Sequence, residues 1–467
     1  MTGRVETDAA GALVIPAGCY WGAQTQRALE LFAIEGPLMP IPVIHAFGLQ
    51  KAAAARANLT LGMIDAERAA LILSAADEMR AGRFDAHFPL PIWQTGSGTQ
   101  TNMCANEIIA NRANEVAGKP IGARSPVHPN DHVNRSQSSN DSFPTAMQIS
   151  AVLAFEQRLL PALDTFQSTL AEKAEAFRDQ VRIGRTHLND AVPVMLGQGF
   201  AAYARQASLA RRRIAATLPD LRELPQGGTA AGSGLNAPAG FAEAFCIALS
   251  ETADTEFTPN PVKAEGMAAH DALVAASAAL QGLAIALVHI LNDIRLLASG
   301  PRTGFGELVV PDDGLTSSIM PGKRNATLAE ALLQVCYRAI GNHATVGWAG
   351  GSGLLELNVA KPVLIHAVLE SISALADGLT AFTGKCLAGL TPVPAQMARN
   401  VEMSLMAATV LSPRLGYDAV SRITRLADAE GLSLRAACLA SGLIGEDEFD
   451  LLIDPARMAR GGVMEDR

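Results

Sequence analysis

The ten residues 316–325 hold the densest set of groups in this chain that could do chemistry. They read Thr-Ser-Ser-Ile-Met-Pro-Gly-Lys-Arg-Asn, so hydroxyls, an ammonium group and a carboxamide lie within one short stretch. Pro321 and Gly322 punctuate the backbone there, which predicts a turn rather than a helix or a strand. The hydroxyls of Ser317 and Ser318 are therefore expected on a mobile turn.

A helix is expected to follow this loop. Thr327 and Glu330 have the spacing of a capping box, which predicts a helix start near Asn325. Lys323 would then lie beside a helix N-terminus, where its ammonium group and the free backbone N–H groups both favour an anion. Taken alone, this pattern also suits a solvated loop, so companion segments elsewhere in the chain decide the interpretation.

Three further segments are rich in small polar residues, although the chain is 49% hydrophobic. They are residues 95–102, residues 128–141 and residues 184–190. Hydroxyls, amides and imidazole predominate, while a nucleophile elbow, a phosphate-binding glycine loop and metal-ligand spacings are missing from the sequence. Such a set suits a small, multiply charged, oxygen-rich ligand that is held by neutral donors and one or two cations.

Composition excludes several classes of function. The net charge of −9, with no basic stripe, argues against nucleic acid as a partner. The six cysteines are scattered without a Cys-x-x-Cys pair, so neither zinc nor disulfides are indicated, and no metal or other cofactor is expected. The first residues resemble neither a signal nor a transit peptide, and no apolar run appears long enough to span a membrane. A soluble, cytoplasmic protein without a membrane partner is expected.

Alanine and leucine recur through the middle of the chain with few β-branched alternations, which predicts a mainly all-α protein. The clearest helix is residues 265–299, a proline-free stretch in which apolar residues follow 3-4-3-4 spacing from Leu273 to Leu297. That spacing is typical of a seam for packing against other long helices. Further long helices are predicted at residues 142–181 (with a kink at Pro161), 193–218, 326–345 and 362–383.

The pattern predicts three domains in a chain of 467 residues. Residues 1–138 have more loops and prolines and would form a mainly helical domain, with a short strand at residues 11–16. Residues 139–392 would form a central bundle of long helices, and residues 393–467 a small helical domain. Five long helices exceed what one small bundle needs, which predicts that the bundle also packs against neighbouring subunits.

The loop at residues 317–325 resembles the superfamily signature Gly-Ser-Ser-x-Met-Pro-x-Lys-x-Asn of the fumarases and aspartases. The resemblance runs almost end to end, from residues 21–27 to residues 432–438, and it is closest to the class II fumarases. It implies the same three-part fold, with a twenty-helix core in a homotetramer. It also implies reversible hydration of fumarate to L-malate through an aci-carboxylate intermediate, at sites that each draw segments from three subunits.

This reaction has one difficult part. The proton next to a carboxylate is weakly acidic, and its loss places a second negative charge on that carboxylate. A catalyst therefore needs a base on one face of the substrate and an acid or a water-activating group on the other. It also needs preorganised donors for the doubly charged carboxylate.

The resemblance assigns these roles to particular residues. Ser317, which follows the position of the family glycine, would be the base that removes the C3 proton, with Lys323 and loop N–H groups stabilising its alkoxide. His187 would be the acid or base on the water side, oriented by the carboxylate of Glu330. The residues that would hold the substrate are Ser97, Thr99, Ser138, Ser139, Asn140, Thr186, Lys323 and Asn325.

The resemblance also implies a second, peripheral dicarboxylate site at His128, Asn130 and Asp131. Because a carboxylate would repel a dianion, the backbone N–H groups and His128 are expected to contact it rather than the Asp131 side chain. His187 favours a fumarase over an aspartase, which has glutamine at the corresponding place. Residues 128–131 and the long N-terminal match favour a fumarase over the argininosuccinate and adenylosuccinate lyases.

Four positions depart from the fumarase pattern. They are Thr316 for glycine, Arg324 for a small apolar residue, Ala326 for proline and Cys104 for asparagine. These departures leave open a related C4 dicarboxylate, such as mesaconate or another substituted fumarate, or aspartase-like ammonia elimination. An alternative of a different class is a catalytically silent homologue that serves as an oligomeric binding protein. Such a homologue would be expected to have lost Ser317, His187 or Lys323, and all three residues are present.

Overall fold

The computed structural model of the chain describes residues 3–8, 11–315 and 317–462. Within these ranges helices predominate and strands are short, which confirms the mainly all-α prediction. The α-helices, α1 to α19 in order, are Ala23–Leu31, Ile41–Thr60, Ala66–Arg80, Thr99–Val116, Ser139–Ala154, Leu160–Ala176, Leu196–Ala215, Leu218–Leu221, Phe241–Ala253, Lys263–Ala268, Asp271–Leu297, Thr327–Gly350, Lys361–Lys385, Pro394–Met403, Ser412–Leu415, Tyr417–Glu430, Leu434–Ser441, Glu446–Leu452 and Pro455–Arg460.

The described strands pair in chain order to form two-stranded sheets. The pairs β1–β2, β3–β4 and β7–β8 are antiparallel, and β5–β6 is parallel. Strands β1 to β8, in chain order, are Gly3–Asp8, Gly11–Pro16, Val181–Thr186, Asn189–Met195, Glu223–Leu224, Thr258–Pro259, Leu308–Val309 and Thr391–Pro392. The short strand predicted at residues 11–16 is confirmed as β2.

The chain divides into two compact units, each assembled from three stretches of sequence. The first unit comprises Met1–Pro161, Arg212–Ala284 and Val335–Ala376. The second unit comprises Ala162–Arg211, Ile285–Gln334 and Asp377–Arg467. The division into three domains at residues 138 and 392 stays a prediction.

The predicted seam along the longest helix is confirmed in α11. The eight seam positions are buried, with at most 7% of each residue exposed: Leu273, Ala276, Leu280, Leu283, Leu287, Ile290, Ile294 and Leu297. The predicted start at residue 265 is wrong, because His270 has a φ of +64° and separates α11 from the short α10. A non-glycine residue in that left-handed conformation cannot continue a right-handed helix.

The helix predicted at residues 142–181 is broken in the middle and is shorter at its end. A π-helical turn, Phe155–Leu159, joins α5 to α6 immediately before Pro161. Proline cannot donate a backbone hydrogen bond, so a change of helical geometry at this point is expected. The chain then leaves the helix at Ala176 and enters β3 at Val181.

The remaining long helices were predicted within a few residues at most ends. The structure gives α7 as Leu196–Ala215, α12 as Thr327–Gly350 and α13 as Lys361–Lys385. The prediction missed the hairpin of β3 and β4, whose second strand includes Pro193. Because this hairpin contains His187, the error falls on a segment with a proposed catalytic role.

Helix α2 lies at the centre of the first unit, where it packs against α3, α5 and α9. Most of its residues are buried, including the polar pair Gln50 and Lys51. Small residues allow the close packing: a Cβ atom added to Gly48 would lie 2.7 Å from the backbone nitrogen of Arg80. The helix thus carries a cation into the interior of the unit.

Two described helices, Asp271–Leu297 and the segment Lys361–Gly389, are long and apolar enough to span a membrane by length and composition alone. This differs from the sequence prediction that no run reaches that length. In each of them about half of the most apolar window, 44% and 56%, is buried inside the chain. Core helices of this kind pass the same test because they are hydrophobic on most sides.

Gly98 shapes the start of α4, where two proposed substrate ligands lie. Its φ is +74°, and a Cβ atom at this position would lie 2.1 Å from the ring of Phe143. Gly62, which follows α2, has a similar φ of +71° but open space around it. Substitutions at the two glycines therefore allow the free-energy cost of left-handed backbone to be measured separately from that of overpacking.

We expect Gly98→Ala to lower the free energy of unfolding by about 2–4 kcal/mol, since it adds overpacking to backbone strain. Gly62→Ala should lower it by only about 1 kcal/mol, since it adds strain alone. Urea unfolding followed by circular dichroism measures both changes. Equal losses in the two variants would show that the Phe143 ring does not restrict this position.

Candidate active site

The N-terminus of α5 orders three of the proposed substrate ligands. Ser138 caps this helix: its hydroxyl accepts the N–H of Asn140 at 3.2 Å, while its own N–H donates to Asp141 at 2.9 Å. The hydroxyl of Ser139 accepts from the amide of Asn102 at 3.1 Å. The amide of Asn140 donates to the carbonyl of Ala230 at 2.9 Å. The capping box thus fixes the first turn of the helix.

The N-terminus of α4 lies beside that of α5. Asn102, which bonds to Ser139, lies in the first turn of α4, and Thr99 is the first residue of this helix. The hydroxyls of Ser97 and Thr99 are 2.7 Å apart. Two adjacent helix N-termini place the positive ends of two helix dipoles side by side, which makes them suited to a carboxylate.

A buried lysine lies beneath these two helix ends. Lys51 is fully buried, and its Nζ donates to Asn102 at 2.8 Å, to Gln137 at 2.9 Å and to Asn134 at 3.2 Å. Burial lowers the pKa of Lys51 to about 7, and the charge of Asp141 opposes that shift. Asn102 therefore connects the ammonium group directly to the hydroxyl of Ser139.

A second lysine is buried in the same unit. Lys361 is fully buried, and its Nζ has no hydrogen-bond partner in the part of the chain that the structure describes. Its backbone N–H donates to the carbonyl of Gly96 at 3.0 Å, which ties it to the segment that contains Ser97. Burial lowers the pKa of Lys361 to about 7, again opposed by Asp141. The two amines would supply local positive charge to an anion in a chain of negative net charge.

Asp141 balances these amines. Its buried carboxylate accepts the N–H groups of Ser138, Thr229 and Gly227 at 2.9–3.0 Å. Burial raises the pKa of Asp141 to about 6, while the three N–H groups and the charge of Lys51 lower it. The sequence analysis missed Lys51, Lys361 and Asp141 as parts of the site. The signal for Lys51 was available, since it stands next to a run of four alanines.

The proposed second dicarboxylate site forms one short turn. His128 precedes the π-helical turn Pro129–Val133, and its Nδ1 accepts the N–H groups of Asn130 at 3.3 Å and Asp131 at 3.2 Å. The Asp131 carboxylate lies 3.2 Å from the same nitrogen. The three residues are therefore together, but the N–H groups expected to meet an anion are bonded to His128 in this structure.

His187 lies at the tip of the β3–β4 hairpin, in the second unit. Thr186 pairs with Asn189, so His187 and Leu188 are the two turn residues, with φ values of +56° and +62°. This is the geometry of a type I′ turn, which normally favours asparagine and glycine. Non-glycine residues held in this conformation store strain, and such strain is concentrated at functional sites. The side chains of Thr186 and His187 are exposed.

The serine loop of the second unit supplies backbone donors to Ser317. The Ser317 hydroxyl accepts the N–H of Met320 at 3.1 Å and that of Ile319 at 3.4 Å. Gly322 has a φ of +78°, and the N–H of Lys323 bonds to Met320 at 3.2 Å, which confirms the predicted turn. These two N–H groups point at the oxygen that would carry negative charge as an alkoxide.

The side chains that close the base of this loop differ from those predicted. The helix begins at Thr327, so Thr327 is its first residue and the predicted capping box with Glu330 is wrong. Instead the Thr327 hydroxyl bonds to Asp313, and Arg324 pairs with Asp312 at 3.2 Å. Arg324, one of the four departures from the family pattern, therefore links one end of the loop to the other through an exposed ion pair. Such a pair contributes little stability on its own.

The other departures have different surroundings. The carbonyl of Ala326 accepts the N–H of Glu330 at 3.1 Å. Cys104 is fully buried, its thiol lies 3.6 Å from the carbonyl of His87, and burial raises its pKa well above the usual value. Thr316 lies outside the described residues. Lys323 and Asn325 are exposed at the end of the loop.

Glu330 pairs with Arg295 at 3.2 Å, and both side chains are partly exposed. No hydrogen bond joins Glu330 to His187 among the residues that the structure describes in this single chain. The chain therefore brings together the proposed ligands of the first unit, and separately places His187, Ser317 and Glu330 in the second. In the described ranges, no group of three or more His, Cys, Asp or Glu residues could hold a metal ion.

Comparison with known proteins identifies the family and agrees with the fold. Residues 11–341 match the family described as Lyase, and residues 408–460 match the one described as Fumarase C C-terminus. A relative from Pseudomonas aeruginosa named Fumarate hydratase class II 1 is 51% identical, covering 98% of this chain and 99% of its own. Another from Thermosynechococcus vestitus, named Fumarate hydratase class II, is 52% identical over 96% of both chains.

A solved structure shows the same fold. The class II fumarase from Schistosoma mansoni superposes with a TM-score of 0.95 at 38% identity, covering 98% of this chain and 99% of its own. The long helices and the serine loop thus define a lyase of the fumarase/aspartase superfamily. Within that superfamily, this chain belongs to the class II fumarase family.

The raised pKa of Asp141 has a consequence for stability. Because its folded-state pKa of about 6 exceeds the usual aspartate value of 3.8, its favourable contribution is present below pH 4 and is lost as pH rises through 6. Asp141→Asn has no such titration. We therefore expect the stability advantage of the wild type over this variant to shrink by up to about 3 kcal/mol from pH 4 to pH 6.5.

Urea unfolding at a series of pH values measures this difference. Thr145→Val is the matched control, because it removes a buried, uncharged hydroxyl that bonds to the Asp141 carbonyl at 2.7 Å. Its stability difference from the wild type should not change over this pH range. An advantage over Asp141→Asn that is constant, or that grows with pH, would show that burial does not destabilise the carboxylate.

Proposed function

We propose that this chain catalyses the reversible hydration of fumarate to L-malate. The observation that carries the proposal is the pair of adjacent helix N-termini, α4 and α5, whose hydroxyl-bearing residues lie above the buried Lys51. This arrangement suits a small carboxylate that is held by many neutral donors and one deep cation. The names of the full-length relatives agree with this reaction.

On one face of the substrate, Ser317 removes the C3 proton. Its hydroxyl already accepts two backbone N–H groups, which favour the alkoxide form, and Lys323 adds a positive charge on the same turn. The C–H bond electrons move into the adjacent carboxylate, which becomes a doubly charged aci-carboxylate. Lys323 and Asn325 bind this group, and their bonds must strengthen as its charge develops.

On the other face, His187 exchanges a proton with the water or hydroxide that is added or lost. Glu330 orients this imidazole. Thr186 precedes His187 on the hairpin. Ser97, Thr99, Ser138, Ser139 and Asn140 bind the water and the second carboxylate. His128, Asn130 and Asp131 form a peripheral site in which the His128 ring would release its two N–H groups to an entering dicarboxylate.

These roles require segments from three subunits, and we propose a homotetramer. The lack of a hydrogen bond between His187 and Glu330 among the described residues of one chain supports this, because the pair would form between subunits. Exposed apolar side chains on α12 and after it support it as well: Trp348 is 83% exposed and Leu355 is 90% exposed. A twenty-helix core would bury such residues. We propose that the assembled enzyme is soluble and cytoplasmic. We propose that each chain has three domains, at residues 1–138, 139–392 and 393–467.

The alternative substrates are not favoured. Relatives of about 50% identity over nearly the whole chain are named class II fumarate hydratases, and none of the proposed catalytic groups is lost. The departures at Arg324 and Ala326 lie at the base of the loop rather than at the proposed catalytic oxygen. The silent-homologue alternative has no support for the same reason.

A substrate panel tests the proposed reaction directly. We expect the purified chain to interconvert fumarate and L-malate, followed as the ultraviolet absorbance of the conjugated double bond. Mesaconate, L-aspartate and argininosuccinate should give far slower or no change under the same conditions. Turnover of one of these compounds without turnover of fumarate would show that the loop departures mark a different specificity.

Two variants test the assigned groups. We expect Ser317→Ala to lower kcat by about 10³-fold or more and His187→Asn to lower it by about 10²-fold, because each removes a proton-transfer group. Ser318→Ala is the matched control for the first, since it removes a neighbouring hydroxyl that has no assigned role. Circular dichroism and gel filtration check that the fold and assembly persist. Full turnover in Ser317→Ala would refute its role as the base.

A further inference from the structure

The hairpin that presents His187 needs an anchor, because its turn is strained. His187 and Leu188 both adopt left-handed backbone without being glycine, so the paired strands must hold them in place. Only two residue pairs, Thr186 with Asn189 and Arg185 with Asp190, follow the register shift near Gly184. Such a short ladder cannot fix the direction of an exposed imidazole by itself.

Arg185 ties this ladder to the interior of the second unit. Its side chain is only 11% exposed, and its Nη2 donates to the Oε1 of Glu307 at 2.9 Å. The guanidinium also lies 4.0 Å from the ring centroid of Phe305. Arg185 is thus the buried contact closest in sequence to His187, two residues before the tip of the hairpin.

Glu307 is itself held from several directions. Its side chain is fully buried, and Oε1 also accepts from the amide of Asn400 at 2.8 Å. Its backbone N–H donates to Leu297 at 2.9 Å, and its carbonyl accepts from Val393 at 3.0 Å. The end of α11, the strand pair β7–β8 and the helix α14 therefore fix this carboxylate.

The Arg185–Glu307 ion pair is not explained by its contribution to stability. The Nη1 of Arg185 and the Oε2 of Glu307 are both buried without a hydrogen bond among the described residues. A buried, half-satisfied ion pair is weak as a source of stability compared with an apolar pair of similar size. Its charge and geometry are consistent with a different role, since a planar guanidinium held on one side by a carboxylate has a defined direction.

We propose that Arg185 and Glu307 are positioning residues that act through His187, by fixing the hairpin so that the imidazole keeps its catalytic direction. Neither residue is assigned a contact with the substrate. This inference rests on the proposed role of His187 and adds two residues that support it. A loosened hairpin would misplace the imidazole, and misplacement of a catalytic group by about 1 Å can lower a rate by about 10²-fold.

The test compares Glu307→Gln in two backgrounds, the wild type and His187→Asn. If Glu307 acts through the imidazole, Glu307→Gln should lower kcat by about tenfold to 10²-fold in the wild type. In the His187→Asn background it should lower kcat further by less than about threefold, since two residues that act as one unit are not additive. KM for fumarate should change much less than kcat in the wild-type background.

Asp293→Asn is the matched control. It makes the same carboxylate-to-amide change in the second unit, where Asp293 bonds to the hydroxyl of Tyr203 at 2.8 Å rather than to a residue of the hairpin. It should leave kcat unchanged in both backgrounds. Arg185→Lys provides an independent variant if Glu307→Gln does not fold, because lysine keeps the positive charge but loses the planar fork. It should show a smaller loss of kcat with the same dependence on His187.

The outcomes distinguish the proposed catalytic role of His187 from the positioning role of Arg185 and Glu307. An equal loss of kcat in both backgrounds would indicate a merely structural role and would overturn the proposal, as would no loss in the wild type. Full activity of His187→Asn by itself would refute the assigned role of His187 and the positioning inference together. A loss in His187→Asn with none in Glu307→Gln would leave the catalytic assignment intact and reject the positioning role alone.

Discussion

The burial of Lys51 within an all-helical interior is the constraint on which the first unit depends. An ammonium group loses its hydration there, so three side-chain oxygens must replace the water. One belongs to Asn102 in α4, and the other two belong to Asn134 and Gln137, which lie in one turn before α5. Those oxygens belong to residues that also order the starts of α4 and α5. The cost of burying one charge thus accounts for much of the polar network, including the compensating carboxylate of Asp141.

The sequence was most informative where local pattern and tertiary structure agree. The apolar seam of α11 was predicted residue by residue, because a 3-4 repeat leaves one face to bury. The serine loop was also predicted, since Pro321 and Gly322 restrict the backbone locally. The residues proposed to hold the substrate were assigned through their resemblance to a known family and not from spacing alone.

Other features could not be read from the sequence because they arise between distant segments. The hairpin of β3 and β4 has short runs that local propensity does not distinguish from helix ends. The break at His270 depends on a single left-handed residue. The hydroxyl of Thr327 has the right type and spacing for a cap, but it bonds to Asp313, which lies fourteen residues away. Buried charges such as Lys361 look like surface residues until the fold encloses them.

The left-handed turn at His187 restricts which residues can replace it. Asparagine and glycine tolerate this backbone, whereas alanine and leucine would carry the same strain without the imidazole. Truncation of this side chain would therefore combine two effects, loss of the proposed proton-transfer group and a change in the shape of the turn. The left-handed backbone and the proposed proton transfer thus place separate demands on residue 187, and few amino acids other than histidine would satisfy both.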